Sequence, residues 1–204
     1  MASDADIAVW DAEADAFDEP ADHGLRDPKV HDAWRQLLLD RLPAPPATIA
    51  DLGCGTGTLS VLLADEGYRV DGVDFSPQMV QRAETKAVGR AGVTFTLADA
   101  FEPPLPDASY DVVLCRHVLW AMPDPAVALR RWEHLLTAAG NLILVEGRWS
   151  NGAGLSAEET VSLVESIGRS AELVKLVDPV YWGRAIDDDR YVVTSRSVRE
   201  PRRD

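Results

Sequence analysis

Three glycines at alternating positions, Gly53, Gly55 and Gly57, follow Asp51 in the run DLGCGTG, which closes an apolar stretch and leads into a helix-forming segment. Glycines at this spacing let the chain turn sharply and let a ligand lie against bare main chain, because no Cβ stands in the way. Asp74 comes 21 residues after Gly53, at the end of a second apolar run. An acid at that distance from a strand–loop–helix glycine motif accepts hydrogen bonds from ribose hydroxyls, and its charge disfavours a 2′-phosphate. The pair implies a nucleoside cofactor with a free ribose diol. The dinucleotide fingerprint G-x-G-x-x-G needs glycine at position 58, where Thr58 stands. Asp51 also puts a carboxylate where a pyrophosphate would be repelled and an amine or sulfonium attracted. Charge logic therefore favours S-adenosylmethionine over NAD.

The run DLGCGTG followed by GVDFSPQMV resembles the first two motifs of class I S-adenosylmethionine-dependent methyltransferases. The likeness continues through ADAFEPPLPDASYDVVLCRHVLWAMPDP and LLTAAGNLILVEG, where Ala138-Ala139-Gly140 replaces the family's usual Pro-Gly-Gly turn. It covers residues 28–147 and extends, strand by strand, to 196. It implies that Asp51, Gly53, Cys54, Gly55 and Gly57 line the methionine end and the ribose. Asp74 would hold the ribose hydroxyls, with Phe75 and Met79 against the adenine. Asp99 would accept from the adenine amino group, Ala100 and Phe101 would flank the ring, and Arg116 would meet the methionine moiety. An acid can read an exocyclic amine, and apolar flanks can bury a purine face, so these roles are chemically sound.

Methyl transfer from a sulfonium is an in-line displacement, in which the protein chiefly aligns nucleophile, methyl and sulfur. A general base is required only where the nucleophile must lose a proton. His117, after the fourth strand, is the catalytic candidate, as a base or as a group that orients the acceptor. His23 and Trp10, in the acidic N-terminal arm, are acceptor-side candidates if that arm closes as a lid. Glu146 and Trp149 end the fifth strand, and Trp120, Tyr181 and Trp182 are candidates for an aromatic wall. Each of these aromatic residues has core packing as its competing reading. Cys115 follows Leu114, not proline, and reads as a buried structural thiol. Arg116 stands where metal-dependent catechol methyltransferases carry an acid, so no catalytic metal is expected.

The elements that must position these residues alternate. Asp27-Pro28 caps a helix with Val30, Trp34, Leu37 and Leu38 on one face, ended by Pro43, Pro45 and Pro46. Strands are predicted at 48–53, 68–75, 93–99, 111–115, 141–147, 173–177 and 190–196. Helices are predicted at 58–67, from Ser76-Pro77 to Gly89, from Asp124-Pro125 to Leu136, and from the Ser156/Glu159 capping box to about Ile167. This order predicts an α/β fold, a Rossmann-like three-layer sandwich on a seven-stranded, mostly parallel sheet with an antiparallel final strand. Ligands in such sheets sit beyond the carboxyl ends of the strands. The first 27 residues read as a floppy arm or a lid, and the tail RSVREPRRD as fraying.

Composition bounds the rest. The chain has 204 residues, 34 Asp plus Glu against 20 Lys plus Arg, and a formal net charge of −14. That length suits one domain: 1–46 as arm and helix, 47–147 as cofactor-binding core, 148–204 as the acceptor side. Such acidity argues against an electrostatic grip on nucleic acid or on an anionic membrane. Two cysteines make no disulfide framework, and the start lacks a signal-peptide pattern, so a cytoplasmic setting is expected. The expected activity is methyl transfer to a small-molecule acceptor, leaving S-adenosylhomocysteine, by a monomer or homodimer. The alternatives are a non-catalytic S-adenosylmethionine binder and an NAD-dependent oxidoreductase.

Overall fold

Most elements begin where the sequence supplies a cap and stop where it supplies a breaker. The computed structural model describes residues 2–196, so all but the first residue of the Arg-rich tail, 197–204, lies outside the described residues. The elements run α1 (Asp4–Glu13), α2 (Ala21–Gly24), α3 (Pro28–Leu39), β1 (Thr48–Leu52), α4 (Thr58–Asp65), β2 (Arg69–Asp74), α5 (Pro77–Ala87), β3 (Val93–Leu97) and β4 (Tyr110–Arg116). They continue with α6 (Pro125–Leu135), β5 (Leu136–Arg148), α7 (Ala157–Ser166), β6 (Glu172–Lys175) and β7 (Asp189–Ser195).

The seven strands are ordered β3-β2-β1-β4-β5-β7-β6. β2 pairs in parallel with β1 and β3, β4 pairs in parallel with β5, and β7 runs antiparallel to both β5 and β6. The chain forms two compact units: the residues up to Pro104 with Asp178–Ile186, and Leu105–Val177 with the residues from Asp187 onward.

In the first unit, Asp27 caps α3 by accepting from the Lys29 amide at 2.8 Å, and α3 buries Val30, Trp34, Leu37 and Leu38 as its spacing predicts. Ser76 caps α5, accepting from the Met79 amide. Helices α4 and α5 pack on β2 and β3. Gly57, the N-cap of α4, has a φ of +73°. A Cβ there would stand 2.7 Å from the Phe95 ring and 2.8 Å from the Ala83 methyl, so close helix–strand packing requires glycine.

In the second unit, Asp124 caps α6, and Ser156 and Glu159 form the capping box of α7. The core gathers Leu114, Leu129, Trp132, Ile143, Leu144 and Val193, all fully buried. One expectation changes here. The Ala138-Ala139-Gly140 turn is part of the long strand β5, which leaves α6 directly. A register irregularity between Tyr110 and Val112 of β4 absorbs the extra residues.

The N-terminal arm has structure of its own. It carries two helices: α1 opens on a capping box in which Ser3 and Asp6 satisfy each other's main chain, and α2 follows. Helix α1 carries no buried residue, so it has no apolar stripe to announce it. Among the described residues, no helix is long and apolar enough to cross a membrane.

Candidate functional site

In the first unit, the candidate cofactor residues meet at the carboxyl ends of β1, β2 and β3. Gly53, Gly55 and Gly57 all take the left-handed conformation, with φ of +73°, +54° and +73°. The Gly53 and Cys54 amides both donate to the Val73 carbonyl, at 2.8 and 3.0 Å, which ties the loop to β2. Asp74, at the end of β2, receives the Gly55 amide on one oxygen and the Ser76 amide on the other, each at 2.9 Å. It therefore joins the glycine loop to the start of α5, and with the Phe75 amide also donating, its three amide donors leave part of its acceptor capacity open. Burial raises its carboxyl above the ordinary value, the amide donors oppose this, and the nearby Asp11 adds to it.

Asp51 is 3% exposed and accepts from the Ser60 hydroxyl at 2.5 Å, across the first turn of α4. Burial, then the Asp51 and Asp74 carboxylates, push the Cys54 thiol well up, which keeps it an unreactive thiol. Met79 and Ala100 are buried, and Phe75 and Phe101 are half-buried. Asp99 receives the Phe101 amide at 2.8 Å and, on its other oxygen, the Ala2 amide at 2.6 Å.

That last bond belongs to a set the sequence did not announce. Asp11 accepts from the Ser76 hydroxyl at 2.5 Å and the Gln78 amide at 3.1 Å. Asp18 accepts from the Thr56 hydroxyl at 2.5 Å and pairs with Lys86 at 2.8 Å. Burial alone would raise the Asp18 carboxyl, but Lys86 and the two threonine hydroxyls hold it below its ordinary value. Asp15 pairs with Arg82. The Phe17 ring lies 3.2 Å from where a Cβ on Gly55 would be. Part of the arm's acidity thus anchors it to the glycine loop and α5.

His23 stacks on Phe17 with ring centroids 4.5 Å apart, and Trp10 meets Phe17 edge-on at 6.2 Å. Both candidates are thus on the arm's aromatic cluster. Tyr181 and Trp182 sit elsewhere, against α3: Trp34 donates to the Tyr181 carbonyl at 2.8 Å and meets Trp182 edge-on at 5.8 Å. Trp182 is buried, as core packing would have it.

In the second unit, a different cluster forms around His117. Arg116 is the last residue of β4 and is half-buried. His117 follows with a φ of +61°, a conformation uncommon outside glycine. Its amide donates to the Val145 carbonyl at 2.8 Å, and its carbonyl accepts from the Trp120 indole at 2.9 Å. Glu146, fully buried, receives the Val118 and Leu119 amides on Oε1 at 3.0 and 2.8 Å and so fixes the turn after His117. Burial pushes its carboxyl up to about 8, against the pull of those amides. Its Oε2 has no hydrogen-bond partner among the described residues.

Trp149 stands edge-on to His117 and tilted to Trp120, both at 5.3 Å between centroids. Arg190, at the start of β7, lies over the Trp149 ring at 4.5 Å, contacts His117 Nε2 at 3.1 Å and pairs with Asp188 at 2.8 Å. Sequence reasoning missed Arg190 and Asp188; their one signal is an arginine behind three aspartates at a strand start.

The first cluster offers main chain and carboxylate acceptors to a ligand rich in N–H and O–H donors. The second offers aromatic faces, an imidazole and a guanidinium. Among the described residues, no group of three His, Cys, Asp or Glu is placed to hold a metal.

Residues 50–144 match the family model described as a methyltransferase domain. The chain is 37% identical over 109 residues to 2-methyl-6-phytyl-1,4-hydroquinone methyltransferase of Synechocystis, covering 53% of this chain and 34% of that one. It is 30% identical over 122 residues to demethylmenaquinone methyltransferase of Bacillus licheniformis, covering 58% and 53%. The chain thus spans about a third to a half of the length of these curated relatives. A solved S-adenosylmethionine-dependent methyltransferase from Aquifex aeolicus matches with a TM-score of 0.70 over 92% of this chain and 98% of that one. At 18% identity, that likeness is one of fold.

Proposed function

We propose that the chain, whose residues 50–144 match a methyltransferase domain, is a class I S-adenosylmethionine-dependent methyltransferase that moves a methyl group from S-adenosylmethionine to a small-molecule acceptor. The observation that carries this reading is the acceptor set of the first unit. Asp99 already takes an N–H donor, the Ala2 amide, on one oxygen, as it would take the adenine amino group. Asp74 keeps acceptor capacity for a ribose hydroxyl while its bonds to Gly55 and Ser76 hold the loop. The residues present fit the cofactor.

When bound, the cofactor supplies a methyl group on a sulfonium that leaves as a neutral thioether. The chain's own part is to hold and align. Asp51, Gly53, Cys54, Gly55 and Gly57 would hold the methionine end and ribose, and Phe75, Met79, Ala100 and Phe101 would hold the adenine. Alignment of this kind supplies on the order of 7–11 kcal/mol of a bimolecular barrier. The arm serves as the lid. Its contacts fall on Gly55, Thr56, Ser76 and Asp99, all within or beside the cofactor set, and the Asp99 oxygen that now takes the Ala2 amide is the one that would take the adenine amino group.

Glu146 holds the turn that carries His117, and His117, Trp120 and Trp149 serve the acceptor. Their aromatic faces suit a planar ring, and the two relatives are named for a hydroquinone and a demethylmenaquinone. The chain's acidity supports a small acceptor over a nucleic acid.

The test is transfer of labelled methyl from S-adenosylmethionine to a panel of hydroquinones, phenols and small carboxylic acids. Label is expected in at least one aromatic acceptor. Cofactor binding with no transfer to any of them would reduce the protein to a binder.

A further inference from the structure

The contact between Arg190 and His117 decides the protonation of that histidine. A guanidinium carries five N–H donors, stays protonated in proteins and has no lone pair to offer. With Nη1 of Arg190 at 3.1 Å from Nε2 of His117, the arginine can only donate, so Nε2 must present its lone pair. A neutral imidazole with a bare Nε2 has its proton on Nδ1.

Both partners are held in place. Arg190 is pinned at its other nitrogen by Asp188, whose second oxygen takes the Ser150 amide at 2.8 Å. Its guanidinium lies over Trp149, and its side chain is only 10% exposed. The stem passes Gly147, its register partner on β5, where a Cβ would stand 2.5 Å from Arg190 Cδ. Gly154 makes similar room for the Trp149 ring, at 2.4 Å. His117 is fixed by its bond to Val145, by the Trp120 indole on its carbonyl and by Glu146 beneath the next two amides. A histidine at φ +61° is costly backbone, which persists only where its surroundings impose it.

We propose that Arg190 is a positioning residue: it locks His117 as the Nδ1–H tautomer, so that His117 serves the acceptor as a hydrogen-bond donor and not as a base. The lock is a statement about these residues alone, whereas the donor role rests on the methyl-transfer reading. Asp188 and Trp149 hold the arginine, and Gly147 gives it passage. His117 then orients an acceptor oxygen and takes up no proton through Nε2.

Nitrogen-15 NMR of the histidine rings at pH 7.5 tests the lock without any turnover. The chain has four histidines, and the His117 signals are assigned by their loss in His117→Ala. The expected spectrum has His117 protonated at Nδ1 in the native protein and in Arg190→Lys, which keeps a donor. Arg190→Met should release the ring to the Nε2–H form. A native His117 protonated at Nε2 overturns the lock, and so does an unchanged tautomer in Arg190→Met. Turnover tests the donor role separately. Asn presents an N–H close to the Nδ1 position, so His117→Asn should stay within about tenfold of native kcat while His117→Ala falls about a hundredfold. Equal losses in the two variants would overturn the donor role and leave the tautomer result standing.

Discussion

The two units build their clusters by opposite means. Around the glycine loop the work is done by main chain and carboxylates: left-handed glycines, amides on Asp74, an amide on Asp99. Around His117 it is done by side chains gathered from β4, β5 and β7, with partners 73 residues apart in the case of His117 and Arg190. The first is rigid because its conformation is the fold's own. The second is rigid because each side chain is braced by another. Substitutions should therefore strike the first through backbone strain and the second through lost partners.

Gly57→Ala should cause the largest loss. It adds a Cβ where Phe95 and Ala83 already stand, at a φ that L residues avoid. Overpacking and left-handed strain together cost about 2–5 kcal/mol, read as a lower urea midpoint. An unchanged midpoint would mean that the loop's geometry is not imposed by packing.

Glu146→Ala comes next. It strands the Val118 and Leu119 amides, at about 2–4 kcal/mol. Glu146→Gln, which keeps the acceptor, should lose less, and the comparison has a pH dependence. The folded carboxyl titrates near 8, above its ordinary 4.5, so the fold favours the protonated acid. Native stability should then fall as pH rises from about 4.5 to 8, because the folded state retains a proton that the unfolded chain gives up. Glutamine removes that dependence, so denaturation at pH 5 and pH 8 should show the Gln variant gaining on the native protein at the higher pH. Parallel curves would place the charged form in the fold.

Asp74→Ala should weaken cofactor binding by about 1.5–3 kcal/mol, read by calorimetry, by removing a charge-assisted acceptor. Unaltered affinity would mean the acid works only on the loop. The smallest effect belongs to Asp18→Ala, which loosens the arm from Thr56 and Lys86. It should cost no more than about 1 kcal/mol of stability, yet speed cofactor release in stopped-flow displacement. Unchanged release would separate the arm from the cofactor.

The same contrast decided what could be read from the residues in order. The glycine loop and Asp74 are local motifs at the ends of successive strands, legible from their spacing, while Asp99 was implied by the resemblance of the segment that holds it. Capped helices such as α3, α5 and α7 were legible for the same reason. Helix α1 was not, because it buries nothing and offers only Ser3 and Asp6. The Ala2–Asp99 contact spans 97 residues and uses a main-chain amide, which no residue type can announce. Arg190 escaped notice because its meaning depends on which strands flank β5, a property of topology and not of spacing.

Calorimetric titration of the native chain with S-adenosylhomocysteine, against NAD as control, decides which nucleoside cofactor the glycine loop accepts. The expected result is saturable one-to-one binding of S-adenosylhomocysteine, weakened in Asp74→Ala, with no heat from NAD. Tight binding of NAD with no response to S-adenosylhomocysteine or S-adenosylmethionine would contradict it.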